Sequence, residues 1–415
     1  MTLFLIIAVV GGLYMAWNIG ANDVANAFGT SVGSGALTIR RAILLAAVCE
    51  FAGAFFVGSP VAQTISGEIV IPVAFSARPE TLAIGMVAAL LGASVWLNIA
   101  TFFGQPVSTT HAIIGAVIGF ATIAVGPQWI QWGKMATIAG SWIVSPLFGA
   151  VLAYLIYRFG VRRYVLESRH PVFMALVATP IAMGSLVAII TFSIIYKGLP
   201  GLHLNLPLKW SAPLALAAGL AVGFALHVAL RGRRRRHEVP RAQRYEFTER
   251  WFGYMQVATA CYMSFAHGAN DVANAIGPLS AAIQVFRSGG GLPEKVAIPP
   301  WLLALGGVGI VFGLATYGYK VIKTIGQHIT EMTPTRGFSA EFGTATSVLV
   351  FSKLGMPIST TFVIVGAVMG VGLARGFAAL DLGVIRRIFT SWIITIPVSA
   401  ILTAITFWFL MALHA

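Results

Sequence analysis

Apolar runs long enough to cross a hydrocarbon layer recur from the first residues of the chain to the last, broken by short clusters of Pro, Gly and charge. A spanning helix needs roughly 17 to 25 apolar residues. The pattern therefore predicts twelve helical segments: about 2–24, 41–60, 81–103, 107–126, 135–157 and 172–196, then 211–230, 250–280, 301–325, 338–353, 357–374 and 386–413. The run over residues 3–16 has no basic stretch before it and leads straight into Asn22 and Asp23, so it reads as the first span and not as a cleaved signal peptide. The connections between 81–103 and 107–126, and between 338–353 and 357–374, are so short that each pair fits a re-entrant hairpin as well as two full spans. The expected fold is an all-α polytopic membrane protein of about twelve transmembrane segments.

Composition narrows the class. Of 415 residues, 58% are hydrophobic and 10% charged, against about a quarter charged in a soluble domain. A water-soluble fold is excluded, and the spans leave no room for a separate soluble catalytic domain. Cys49 and Cys261 both lie inside apolar segments, which suits packing and offers neither a disulfide framework nor a cysteine metal cluster. The net charge of +14 does not point to nucleic acid, because 12 of the 27 Lys and Arg fall in two short stretches between spans. Arg158, Arg162, Arg163 and Arg169 form one; Arg231, Arg233, Arg234, Arg235, Arg236, Arg241, Arg244 and Arg250 form the other. Basic loops of this kind mark the cytoplasmic side. Arg40, Arg41, Lys320, Lys323, Arg386 and Arg387 then also fall inside and both termini outside, with Lys197, Lys209 and Arg375 a minority against the rule. Trp129, Trp132 and Trp301 fit an interfacial belt.

The chain repeats itself. Residues 20–26 and 268–274 both read GANDVAN; residues 106–110 read PVSTT and 357–361 read PISTT; Ser-Trp-Ile occurs at 141–143 and 391–393. Three landmarks in one order define a module used twice: a first repeat over 1–157, linking spans with the Arg-rich loops over 158–249, and a second repeat over 250–415. The two GANDVAN copies sit seven spans apart, and an odd number of crossings inverts one module relative to the other. Inverted repeats that meet around a substrate site recur in secondary transporters.

The chain holds three aspartates, and two of them, Asp23 and Asp271, lie in the repeated motif at membrane depth beside Asn22, Asn26, Asn270 and Asn274. A charge there is costly and normally functional. The last Asn follows the Asp by three residues, so carboxylate and carboxamide share a helix face and can offer oxygen to one hard cation. The plain alternative is polar glue between close-packed helices, which would not need an aspartate in both copies. Ser108, Thr109 and Thr110, and likewise Ser359, Thr360 and Thr361, precede apolar runs as helix N-caps do. A cap uses one hydroxyl, and three in succession leave donors beside free backbone N–H groups, which makes an anion site. No Lys or Arg occurs within 79–133, 251–286 or 354–374, so no basic clamp holds the anion there. The expected arrangement is a cation on Asp23 and Asp271 that neutralises them and makes room for an oxyanion, coupling the two. Glu50 and Glu341 are second-rank candidates as proton carriers or gates, with a salt bridge or an interfacial location as the plain readings. Glu68 falls just past the second span. His111 is matched by Phe362 in the other copy and His267 by Ile19, so both histidines read as packing.

GANDVANAFGT, GANDVANAIGPL, PVSTTHAIIGAVIG and MPISTTFVIVGAVMG resemble the duplicated signatures of the inorganic phosphate transporter family, and the resemblance covers essentially the whole chain. It implies a twelve-helix inverted-repeat fold, a homodimer with both termini outside, no cofactor, and phosphate symported with Na+ or H+ across the lipid bilayer. The family's binding residues carry over onto Asn22, Asp23 and Asn26, onto Asn270, Asp271 and Asn274, and onto both Ser-Thr-Thr triplets, while Glu50 and Glu341 fall where the family has important glutamates. Phe362 departs from the pattern, since relatives often keep a His there, and only the Arg-rich loop stands where others carry a long soluble insert.

Three rivals remain at this stage. A sulfate permease on the same scaffold would use the same donors, but only phosphate carries a proton to donate to Asp23 or Asp271 at neutral pH. A passive anion channel would need a continuous polar lining, and the motif residues are too few and too clustered. An enzyme acting on phosphate esters would need a metal cluster, an activated nucleophile or a Gly-rich loop ending in Lys, none of which the sequence offers.

Overall fold

A computed structural model describes residues 2–105, 107–196, 206–236, 239–288, 291–292, 296–319, 332–376 and 382–414. Among them are thirteen α-helices: α1 (Thr2–Gly33), α2 (Ile39–Val57), α3 (Ser59–Gly67), α4 (Pro79–Phe102), α5 (Thr109–Ala124), α6 (Trp132–Leu155), α7 (Pro171–Ile195), α8 (Leu208–Arg236), α9 (Arg244–Arg287), α10 (Pro300–Thr316), α11 (Pro334–Lys353), α12 (Thr360–Arg375) and α13 (Leu382–His414). α6 runs on into a wider π-helical stretch, Ile156–Leu166. Pro occupies the first helical position of α4, α7, α10 and α11, where its missing N–H costs nothing. Six helices, α1, α4, α6, α7, α8 and α13, contain stretches long and apolar enough to cross a membrane.

Each of the twelve predicted segments coincides with a helix, though the segment 301–325 reaches into 320–331, outside the described residues. Lys320, Lys323, Lys197 and Pro106 also lie outside them. The correction concerns the second segment, which does not run unbroken to residue 60. It stops at Val57, bends by 63° and restarts as α3, because Pro60 has no N–H and its ring opposes continuation of the preceding turn. Glu68 consequently caps the end of α3, where it pairs with Lys134 at the start of α6.

The packing is paired throughout. α1 and α9 lie against each other at the centre; α1 packs on α10 and α4, and α9 on α2 and α11. The last helices are then exchanged: α6 clasps α11 and α12, and α13 clasps α4 and α5. Glycines set these close approaches. A Cβ at Gly115 or Gly119 would collide with the backbone of Ile396 or Ala400 in α13, and one at Gly366 or Gly370 with Pro146 or Ala150 in α6. The first glycine of each GANDVAN serves the same end, since a Cβ at Gly20 would overlap the carbonyl of Ile310 in α10, and one at Gly268 that of Glu50 in α2. The pair α7–α8 lies at the periphery and joins the rest mainly through α9.

Candidate functional site

Both hairpins, α4–α5 and α11–α12, turn on a glycine in the left-handed region, Gly104 at φ +65° and Gly355 at φ +70°, a conformation that costs other residues dearly. Ser108 and Ser359, at the starts of α5 and α12, are themselves extended. Their hydroxyls accept from the backbone N–H of His111 (3.2 Å) and Phe362 (3.3 Å), so these two serines are the helix caps.

Capping by serine leaves the threonines to the motif aspartates. Thr109 donates to Asp23 Oδ2 and Thr360 to Asp271 Oδ2, each at 2.8 Å. The asparagines one turn further along reach across to the opposite hairpin. Asn26 donates to Thr361 Oγ1 at 2.9 Å, and Asn274 to Thr109 and Thr110 Oγ1 at 3.2 Å each. Thr110 in turn donates to the carbonyl of Ile358 at 2.9 Å. The aspartates thus bind their own half and Asn26 and Asn274 the other, which brings both triplets and both GANDVAN motifs to one buried place.

Asn270 donates to Asp271 Oδ1 (2.6 Å) and to the Ile358 carbonyl (2.9 Å), while its oxygen accepts from Ser352 at 3.1 Å. Asn22 makes the same three contacts in the orientation its neighbours satisfy: its amide faces Asp23 Oδ1 (3.1 Å) and the Val107 carbonyl (3.2 Å), and its oxygen meets Thr101 Oγ1 at 2.7 Å. The opposite orientation would set oxygen against oxygen. The oxygens of Asn22 and Asn270 thus each accept one hydrogen bond, and through their amides these two residues brace the aspartates against the hairpins. The oxygens of Asn26 and Asn274, by contrast, are buried and meet no donor. Such atoms are rare and call for an explanation.

His267 is the residue that sequence reasoning missed. Its Nε2 lies 2.7 Å from Asp271 Oδ2 and 3.9 Å from Asp23 Oδ2, and its Nδ1 3.2 Å from Glu50 Oε1, all four side chains being fully buried. These approaches are close but poorly aligned, so neither ring nitrogen and neither Glu50 oxygen completes a hydrogen bond. Atoms of Asp23, His267 and Asp271 fall within 4.8 Å of one another, a set able to hold a cation. The signal in the sequence was the position of His267 directly before the second motif; Thr101 and Ser352, spaced like the triplets, could have been found by extending the repeat. His111 does pack, with its ring 3.9 Å from that of Trp142 and 4.4 Å from that of Phe362.

Glu341 stands apart from this centre. Its carboxylate accepts from Thr30 (2.5 Å), Ser31 (2.6 Å), Thr259 (2.6 Å) and Gln256 (3.1 Å), tying α11 to α1 and α9. Thr30 lies seven residues past Asp23, about 10 Å along the helix.

Interlocked half-sites at the tips of two hairpins, within an all-helical membrane protein, define a solute carrier. The model of the phosphate transporter family matches residues 19–403, and the chain belongs to that family. It is 45% identical to a putative phosphate permease of Pyrococcus abyssi (97% of each chain) and 43% identical to one of Haemophilus influenzae (97% of this chain, 96% of that one). It is 44% identical to the chloroplastic inorganic phosphate transporter 2-1 of Arabidopsis thaliana over 96% of this chain and 70% of that one. A solved structure described as the sodium-dependent phosphate transporter superposes with a TM-score of 0.92 at 41% identity, covering 99% of this chain and 100% of that one.

Proposed function

We propose that this protein imports inorganic phosphate by symport with Na+. The observation that carries the reading is the pair of buried Asn26 and Asn274 oxygens without donors, set beside two aspartates and the two capped N-termini of α5 and α12. A hard cation takes oxygen ligands of this kind, and Na+ held among Asp23, Asn26, Asp271 and Asn274 offsets the carboxylate charge. With the carboxylates taken up by the cation, the hydroxyls of Thr109 and Thr360 turn from Asp23 and Asp271 to phosphate, joined by Thr110 as it leaves the Ile358 carbonyl, by Thr361 and by the positive ends of two helices, while phosphate donates a hydrogen bond to a carboxylate oxygen. Asn22, Asn270, Ser108 and Ser359 hold these groups in place. The sodium dependence named for the structural neighbour supports the choice of ion, and the phosphate named for the relatives favours phosphate over sulfate. The contact of His267 with Glu50 favours a second reading, coupling to H+, because a histidine beside carboxylates can carry a proton.

In this proposal modules 1–157 and 250–415 are inverted about the site, the protein is a homodimer in a bacterial inner membrane, and both termini lie outside. The test is radiolabelled phosphate uptake into proteoliposomes under imposed Na+ or H+ gradients, with unlabelled sulfate as competitor. Accumulation driven by the Na+ gradient and indifferent to sulfate is expected. Accumulation driven by H+ alone selects the second reading, and equilibration without a gradient removes the carrier mechanism.

A further inference from the structure

The peripheral pair α7–α8 is the part of the molecule that the site does not use, and it is open to lipid: 33% of the apolar window of α7 is buried and 17% of that of α8, the lowest share among the six spanning helices. Between the two helices runs an apolar cavity of about 530 Å³. Gly184 and Gly219 let the two helices touch, since a Cβ on Gly219 would lie 2.5 Å from the Gly184 carbonyl oxygen, and the trough opens beside this seam. Ile181, Leu220 and Phe224, all exposed to the surroundings of the protein, form its walls.

The dimensions and the charge single out an occupant. The trough extends along α8 from Leu216 to His227, about 16 Å at 1.5 Å per residue, which matches one leaflet of a hydrocarbon core of about 30 Å. One turn beyond His227 on the same helix face stands Arg231, exposed. Arg169, at the entry to α7, is also exposed, and its carbonyl is held by Arg244 at 3.3 Å. Arg233 is turned aside over the ring of Trp251 at 5.9 Å. The positive end is the end that loop charge assigns to the cytoplasm, where anionic lipid headgroups concentrate. The trough is largely apolar along its length and ends beside a cation, which suits an acyl chain that carries an anionic headgroup.

We infer that the α7–α8 trough binds one acyl chain of an anionic phospholipid, with the headgroup phosphate on Arg231. The experiment is native mass spectrometry of the full-length protein with phosphatidylglycerol or phosphatidylcholine. Phosphatidylglycerol is expected to be retained in preference. Arg231→Ala should weaken that preference about five-fold, and Ser185→Phe, which fills the trough from its rim, should remove the bound lipid while the protein stays folded. Excess inorganic phosphate should not displace the lipid; displacement would mean that the phosphate group is recognised without its chain. Equal retention of the two lipids, retention unchanged in both variants, or disulfide cross-linking of Ser185→Cys to a second copy would overturn the assignment.

Discussion

The two half-sites are built from the same parts and differ most in the charges beside them. Each has a glycine that lets its motif helix touch a neighbour, an aspartate fixed by the middle residue of a Ser-Thr-Thr triplet, an asparagine that braces that aspartate, and a hairpin turning on a left-handed glycine. The difference lies where α9 crosses α2. There His267 faces Glu50, whereas the corresponding positions of α1 and α10 carry Ile19 and Ile310, both fully buried. The shared parts are those proposed to hold an anion and a cation. The unshared pair places ionisable groups on one side only, so a protein with a nearly symmetric binding site has an asymmetric electrostatic one.

The largest expected effect tests the shared parts. Asp23→Asn and Asp271→Asn should each lower cation-driven phosphate uptake by about 100-fold, since each carboxylate serves the joint site. A variant that kept half the rate would mean that the two halves work independently. Next comes the unshared pair. His267→Ile leaves Glu50 buried without a partner, and Glu50→Ile removes the acid beside His267, while the double variant recreates the apolar pair of the other half. Melting temperatures in detergent should show a non-additive cycle with a coupling of roughly 1–3 kcal/mol, the double variant recovering stability but not uphill uptake. Additivity would remove the pair from the account. Smaller again, Asn26→Ala and Asn274→Ala should each raise the Na+ concentration for half-maximal uptake by about tenfold, and equally in the two halves. Smallest, Ser108→Ala and Ser359→Ala should each cost about 1 kcal/mol of stability as lost caps, again alike; a marked inequality would show that one serine does more than cap.

Much of this was legible in the chain. Spans follow from hydropathy because lipid forces every backbone group into internal hydrogen bonds, and the duplicated motifs pointed to Asp23, Asp271 and both triplets. The bend after Val57 was hidden because Pro60 falls at the edge of an apolar run, where a break and an ordinary span end look alike. The split of the asparagines, with Asn22 and Asn270 as braces and Asn26 and Asn274 with free oxygens, depends on which hairpin each helix faces across the seam. No spacing within one helix carries that information. His267 was discounted because its counterpart is isoleucine, yet the symmetry rule fails just where α2 supplies Glu50, a residue 217 positions away.

In the proposed site the cation offsets the carboxylate charge beside the phosphate, so each ligand should raise the affinity for the other, and by the same factor. The most direct test is equilibrium binding of radiolabelled phosphate to the purified protein across a Na+ titration, beside Asp23→Asn and Asp271→Asn. The account predicts phosphate affinity that rises with Na+ in the native protein and is flat in both variants. A native protein whose phosphate affinity ignored Na+, or variants that kept the dependence, would contradict it.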